Sequence, residues 1–338
     1  MVLRKLREWS MKNVLVIGAA GQIGSELVPA LREEGYLTVA GFSRTPLPVE
    51  MAGEGSSERI DILDGEGLVA VIRRHRIDTI YNLAALLSAK AEAMPLAGWN
   101  VGVNGLINVL EAARSEHCAV FTPSSIGAFG PESPHDATPQ DTVMRPRTIY
   151  GITKVAGELL SDYYFRKYGV DTRSVRYPGL ISHVTPPGGG TTDYAVDIYY
   201  SAVKGETFHC PIAAGTFMPM MYMGDALRAA IDLMRADPAK LVHRNSFNVG
   251  AMSFDPEGIR RAVTQVMPDF TMDYRVDGLR QSIAESWPDS LDDTAAREEW
   301  GWAPATDLTA MTDLMIRALT PRFSGRIELN AQKLSNAA

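Results

Sequence analysis

Apolar positions along this chain switch between two periods, and the switches predict its elements. Val14-Leu15-Val16-Ile17 is a continuous apolar, mostly β-branched run that ends at a glycine, the pattern of a strand buried on both faces of a parallel sheet. Ile23, Leu27, Ala30 and Leu31 follow at helical spacing, with Pro29 inside the stretch, where the missing N–H costs a hydrogen bond or bends the helix. Further strands are predicted over Leu37 to Phe42, Thr79 to Ala84, Ala119 to Pro123 and Thr172 to Tyr177, separated by helical patterns. Leu106, Val109, Leu110 and Ala113 mark one helix face, and Ile152, Val155, Ala156, Leu159, Leu160 and Tyr163 mark another. Both helices are expected to pack on the sheet. This alternation predicts an α/β fold with a doubly wound parallel sheet.

The rhythm changes at Pro186-Pro187-Gly188-Gly189-Gly190, after which helices mix with short irregular apolar segments. Four stretches are expected: an N-terminal extension (1–11), a mainly sheet-forming unit (12–185), a smaller mixed α/β lobe covering it (186–322, with some chain returning to the first unit) and a C-terminal tail (323–338). Composition removes several function classes. A net charge of -7 argues against a nucleic-acid binder, which needs a basic face for phosphates. No apolar stretch approaches the roughly 20 residues that span a bilayer. The two cysteines, Cys118 and Cys210, and the six histidines show no metal-ligand spacing, so no metal site is expected and a reducing, cytoplasmic setting fits.

Three clusters carry chemistry. Gly18-Ala19-Ala20-Gly21-Gln22-Ile23-Gly24 places three glycines at a strand-to-helix turn, where a pyrophosphate can approach the backbone and meet a helix N-terminus. Tyr150 and Lys154 lie one helical turn apart on one face. A tyrosine with a pKa of about 10 is a poor base near neutrality, and a nearby ammonium favours its phenolate while remaining able to hold ribose hydroxyls. Upstream, Pro123-Ser124-Ser125-Ile126-Gly127 ends a predicted strand at the carboxyl edge of the sheet, where a serine hydroxyl can bond a reacting oxygen. Ser124 and Ser125 read equally well as turn formers if taken alone.

With these clusters the sequence resembles the extended short-chain dehydrogenases, and within them the L-threonine 3-dehydrogenases related to UDP-galactose 4-epimerase. General motifs of the resemblance are the glycine turn, Asp61-Ile62, Asn82-Leu83-Ala84-Ala85, Asn104, Ser125, the Tyr150/Lys154 pair and Arg176-Tyr177-Pro178-Gly179. The narrower likeness rests on Gly21-Gln22-Ile23-Gly24 with Glu26-Leu27, on residues 187–195, and on Ser286-Trp287-Pro288 followed by Ser290-Leu291-Asp292-Asp293. It implies a Rossmann domain holding NAD and a catalytic set of Ser125, Tyr150 and Lys154. It also implies a cofactor lining of Gly18, Gly21, Gln22, Ile23, Gly24, Ser43, Arg44, Asp61, Ile62, Leu83, Ala84, Ala85, Asn104, Tyr177, Pro178 and Leu180, together with Tyr150 and Lys154. For a small amino-acid substrate it implies Ser88, Ser124, Tyr150, Thr191 and Thr192, with Trp287 closing the pocket, and for assembly a homodimer through the helices near Gly105 and Tyr150. Thr191 and Thr192 also read as helix caps, and Trp287 as a core residue.

The implied reaction is oxidation of L-threonine by NAD to 2-amino-3-oxobutanoate. Two other readings use the same residues: a UDP-sugar epimerase or dehydratase, and a non-catalytic dinucleotide-sensing protein. One departure concerns the cofactor. NAD-preferring Rossmann proteins carry an acidic residue at the end of the second strand, whereas this chain reads Ala40-Gly41-Phe42-Ser43-Arg44. Phe42 stands where the carboxylate is expected, which leaves NADP possible.

Overall fold

Successive residues of the first strand bury opposite ways, and this sets the layers of the molecule. The computed structural model describes residues 11–53, 55–186, 188 and 190–335; residues 1–10 of the expected extension lie outside them. Met11 belongs to the fold, buried against the Tyr81 hydroxyl, which donates to its sulfur. In β1 (Asn13–Ile17), Val14 and Val16 enter one apolar core while Leu15 and Ile17 enter another on the opposite face. The continuous apolar run therefore reflects burial on both faces.

The chain continues through α1 (Gly24–Glu33), β2 (Leu37–Phe42), β3 (Ser57–Arg59), α2 (Gly65–His75), β4 (Thr79–Asn82), α3 (Gly105–Glu116), β5 (Ala119–Phe121), β6 (Ser124–Ser125), α4 (Ile149–Tyr168) and β7 (Thr172–Arg173). The central sheet is parallel in the order β3-β2-β1-β4-β5-β7. Strand order reverses between β1 and β4, which opens a crevice beyond their carboxyl ends. This is a Rossmann-like doubly wound fold. The strand β3 has no apolar run to announce it, since it reads Ser57-Glu58-Arg59 on the sheet edge. Helix α1 continues through Pro29, with Leu27, Val28 and Leu31 buried.

Two small sheets extend the frame. One joins β6, β8 (Val175–Tyr177) and β12 (Phe247–Asn248), and the other joins β9 (Gly179–Ile181), β11 (Met218–Tyr222) and β13 (Met252–Phe254). A third pairs β10 (Phe208–Cys210) with β14 (Met272–Tyr274). The later lobe is built on α5 (Tyr194–Lys204), α7 (Pro256–Val266) and α8 (Leu308–Ser335), whose apolar faces share one core. Helix α6 (Met223–Arg235), β12 and Trp302 return to the core beneath β1. Arg173 secures that return: its side chain, 1% exposed, donates to the Leu233 and Ala236 carbonyls at the end of α6 and pairs with Asp171. A cation there satisfies acceptors that a helix terminus leaves unbonded. The backbone of α8 stays helical to Ser335 through Pro321, past the point where the sequence predicts a tail. Among the described residues, no helix is long and apolar enough to cross a membrane.

Helix α4 meets β6 and β7 as expected, but much of its apolar stripe faces away from them: Leu159 is 63% exposed, Tyr163 45% and Ile152 42%, while Leu160 packs against the core under α3. The buried side of this helix is Gly151, Thr153, Glu158, Ser161 and Tyr164. The stripe that periodicity marks is therefore only partly buried, because the inward surface meets polar groups at the ends of β5, β6 and β8. The start of α4 is pressed onto the segment after β6. Thr148 caps it, its hydroxyl accepting the Gly151 N–H, and a Cβ on Gly151 would stand 2.2 Å from the Gly127 carbonyl oxygen and 2.4 Å from Pro146.

Helix propensity and packing therefore disagree in sign for Gly151→Ala, which tests that contact. Propensity alone would stabilise the variant by about 1 kcal/mol, whereas overpacking against backbone costs about 1–3 kcal/mol. Net destabilisation is expected in urea titrations of Gly151→Ala. Gly157→Ala, whose Cβ would meet only the end of Leu106 at 3.2 Å, should lie near neutral. A Gly151→Ala protein as stable as the parent would show that the helix start is not fixed there.

Candidate active site

The turn after β1 is too tight for side chains at its glycines. Gly18 has φ +86°, donates its N–H to the Gly41 carbonyl and accepts the Gly21 N–H. A Cβ on Gly18 would lie 3.1 Å from the backbone of Leu83 and Ala84, and one on Gly24 would lie 2.4 Å from the Gly18 oxygen. No side chain caps α1 at Ile23, so its first turn is presented to the crevice without a competing oxygen. Gln22 and Ile23 line the crevice from this side.

The facing wall comes from β4, β5 and β6. Leu83, Ala84, Ala85 and Ser88 continue from β4, and Ser124 and Ser125 form β6. Two buried atoms on this wall, Asn82 Oδ1 and Thr122 Oγ1, have no protein partner. Unbonded polar atoms at the carboxyl ends of adjacent parallel strands, beside a glycine cradle, fit a nicotinamide dinucleotide laid across the crevice.

Tyr150 and Lys154 close the crevice from α4. Lys154 Nζ donates to the Pro123 carbonyl at 2.7 Å and lies 5.4 Å from the centre of the Tyr150 ring. A side chain at Gly127 would sit 3.1 Å from the Tyr150 ring and 3.5 Å from Ser125 Oγ, so that glycine makes room for both. Ser125 Oγ accepts the Gly127 N–H at 3.1 Å. Tyr177, Pro178 and Leu180 line the crevice from the strand ends beyond. The Tyr177 ring is buried, its hydroxyl donating to the Ala226 carbonyl at 2.6 Å, and burial pushes its pKa up.

The later lobe supplies Thr191, Thr192 and Trp287. The capping reading of the two threonines is not what the structure uses: the carboxylate of Asp193 accepts the Gly190 N–H at 2.7 Å, and the threonines lie in the 3₁₀ turn before α5. Trp287 is both a core residue, 7% exposed, and part of the crevice wall.

Other sequence-predicted residues lie apart. Asp61 is exposed and accepts the Leu63 N–H, while Ile62 packs in the core against Gly105. Ser43 and Arg44 are exposed just beyond β2, with Phe42 half-buried at its end. Asn104 is exposed and donates to Asn100 from a π-helical turn. Burial pushes Cys118 up to about 12 and Cys210 up to about 11, so neither is a nucleophile near neutrality.

Sequence reasoning missed Glu158 and left Arg176 without a role. Glu158 stands four residues beyond Lys154 on the same face of α4 and is 5% exposed. It pairs with Arg176 at 2.8 Å and accepts the Ser124 hydroxyl at 2.5 Å. The signal was the spacing Tyr150, Lys154, Glu158, in which three functional groups repeat every fourth residue on one side of a helix.

Comparison with known proteins agrees with this geometry. The sequence model of the NAD dependent epimerase/dehydratase family matches residues 14–250. An uncharacterized epimerase/dehydratase of Staphylococcus aureus is 51% identical over 312 residues, covering 91% of this chain and 97% of that protein. The solved L-threonine dehydrogenase of Clostridium difficile superposes with a TM-score of 0.90 at 52% identity, over 93% of this chain and 99% of that one. A monomeric L-threonine 3-dehydrogenase from a metagenome gives 0.87 at 42% identity, over 91% and 99%. On the family match and on identity of this extent, the chain belongs to the NAD dependent epimerase/dehydratase family.

Proposed function

We propose that this chain oxidises the 3-hydroxyl of L-threonine to 2-amino-3-oxobutanoate with NAD. The observation that carries the reading is the meeting, in one crevice, of Ser125, Tyr150 and Lys154 with the small hydroxyl-bearing residues Ser88, Ser124, Thr191 and Thr192. Likeness to solved L-threonine dehydrogenases supports it. Bound NAD supplies the acceptor for the hydride leaving C3. The Tyr150 oxygen takes the hydroxyl proton, Ser125 holds the reacting oxygen, and Lys154 sets a positive charge beside the acceptor while offering donors to ribose hydroxyls. Trp287 and the threonines bring apolar and hydroxyl surface from the other lobe, which excludes water when the crevice is filled.

The cofactor preference rests on the end of β2. With Phe42 there, neither the attraction to a ribose 2′-hydroxyl nor the repulsion of a 2′-phosphate is present, so NAD is favoured with weak discrimination against NADP. The outward stripe of α4 supports a homodimer: Ile152, Leu159 and Tyr163 recur at helical spacing and face solvent. A monomeric relative with the same fold shows that the fold does not require the pairing.

Three outcomes follow from this reading. Tyr150→Phe keeps dinucleotide binding, followed by fluorescence titration, and lowers turnover of L-threonine by a factor on the order of 10² or more; near-native turnover would remove Tyr150 as the base. For the cofactor, kcat/KM measured with NAD and NADP at saturating threonine is expected to favour NAD modestly, and Phe42→Asp to widen the ratio about tenfold, worth about 1.4 kcal/mol. A parent that favours NADP tenfold would overturn the NAD assignment and point to Arg44. In sedimentation experiments the parent is expected as a dimer and Leu159→Glu as a monomer; a monomeric parent would refute the pairing through α4.

A further inference from the structure

Ser124 and Ser125 are neighbours on one short strand, yet their hydroxyls are committed differently. Ser125 Oγ accepts from a backbone N–H, which leaves its own proton available to the crevice. Ser124, 5% exposed, gives its single proton to Glu158 Oε1 at 2.5 Å. Arg176 holds both oxygens of Glu158: its Nε reaches Oε1, the oxygen that also accepts from Ser124, at 3.0 Å, and its Nη2 reaches Oε2 at 2.8 Å. Arg176 is in turn fixed by the Gln140 carbonyl at 2.7 Å and by Asn248 Oδ1 at 3.0 Å. Glu158 accepts only, Arg176 donates only, and the direction of every bond in the chain is determined.

We propose that Glu158 is a positioning residue that turns the Ser124 hydroxyl into an acceptor toward the crevice, and that this acceptor, backed by a carboxylate, favours the charged α-ammonium of an amino acid over the neutral hydroxyl donor of a hydroxy acid. This rests on the amino-acid reading of the site and adds the group that enforces it. A hydroxyl whose proton is bonded to a carboxylate is polarised and accepts more strongly. The ionic arrangement behind it brings a negative charge within one bond of the ammonium. A glutamine at 158 removes the negative charge behind Ser124, and with its amide oxygen on Arg176 Nη2 its N–H₂ takes the place of Oε1 beside Ser124. In that orientation Ser124 accepts from the amide and its proton is free to turn to the crevice, where a hydroxyl can accept it and an ammonium cannot.

The test compares kcat/KM for L-threonine with that for 2,3-dihydroxybutanoate of matching configuration, in the parent, Glu158→Gln, Ser124→Ala and the double variant, each with its thermal midpoint and dinucleotide affinity. The amino-acid to hydroxy-acid ratio is expected to fall at least tenfold in Glu158→Gln and in Ser124→Ala, mainly through KM for threonine, with dinucleotide affinity retained. In the Ser124→Ala background, adding Glu158→Gln is expected to change the ratio no further, the coupling that identifies action through Ser124. A role in stability alone would lower the midpoint and leave the ratio where it was. If Glu158→Gln does not fold, Ser124→Ala decides, since it leaves the ion pair in place. An unchanged ratio in Ser124→Ala, or equal effects of Glu158→Gln with and without Ser124, overturns the inference while leaving the dehydrogenase reading intact. A parent that does not turn over threonine removes that reading and the inference with it.

Discussion

Helix α4 has to bring its chemistry against the carboxyl ends of a parallel sheet, and much of the structure follows from that one contact. Gly151 allows the approach, Thr148 fixes the first turn, and Tyr150, Lys154 and Glu158 then fall on the inward side by helical spacing. An inward polar face cannot be left unbonded. Lys154 finds the Pro123 carbonyl and Glu158 finds Arg176 and Ser124. Removing one partner of such a buried pair costs about 3–5 kcal/mol, whereas the intact pair adds little net stability over apolar residues of the same size. Its presence is therefore better explained by what it orients than by what it holds together.

Burying the polar side of a helix sends its apolar side outward. The stripe of Ile152, Leu159 and Tyr163 is ordinary helix amphipathicity turned around, and the face left in solvent is the one available to a second copy. Helix α3 shows the usual arrangement beside it, with Leu106, Val109, Leu110 and Ala113 inside. The same periodicity thus marks the buried side of one helix and a largely exposed side of its neighbour, although both pack on the sheet. What differs is the surface each meets: α3 lies over aliphatic residues of the sheet, and α4 over strand ends and carbonyls.

The sheet was legible because its central strands are buried on both faces and leave no ambiguity of period: β2, β4, β5 and the segment holding β7 and β8 fall inside the predicted runs, and β1 starts one residue before its run, at Asn13. The strand β3 was not, because an edge strand of Ser57, Glu58 and Arg59 buries no apolar side chain that would mark it. In the site, residues that act by local geometry could be read directly. The glycine turn, Ser125, Tyr150 and Lys154 each carry their spacing in the chain, and they line or frame one crevice. Residues that act through distant partners could not. Glu158 and Arg176 are 18 positions apart, and Arg176 and Asn248 are 72 apart; nothing local announces pairing over such distances. A buried charge is rare enough that each demands an explanation once its burial is known, but burial is a property of the folded chain.

The partition between the two serines shows why a short strand suffices at this position. Both serines line the crevice, but the alternation along a strand points their hydroxyls to different partners. One is turned to the buried face of α4 and its ion pair, the other to the turn at Gly127 that gives the Tyr150 ring its space. A one-residue slip of β6 against β8 would set Ser125 in the place of Ser124 with Ile126 beside Tyr150, or Ser124 in the place of Ser125 with Pro123 facing Glu158, and either loses one of the two hydroxyls. Pairing of Ser124 with Arg176 and of Ser125 with Tyr177 fixes that register. The same pairing sets Arg176 on the strand next to Ser124, so that one strand contact both orders the two hydroxyls and supplies the cation that orients the carboxylate between them.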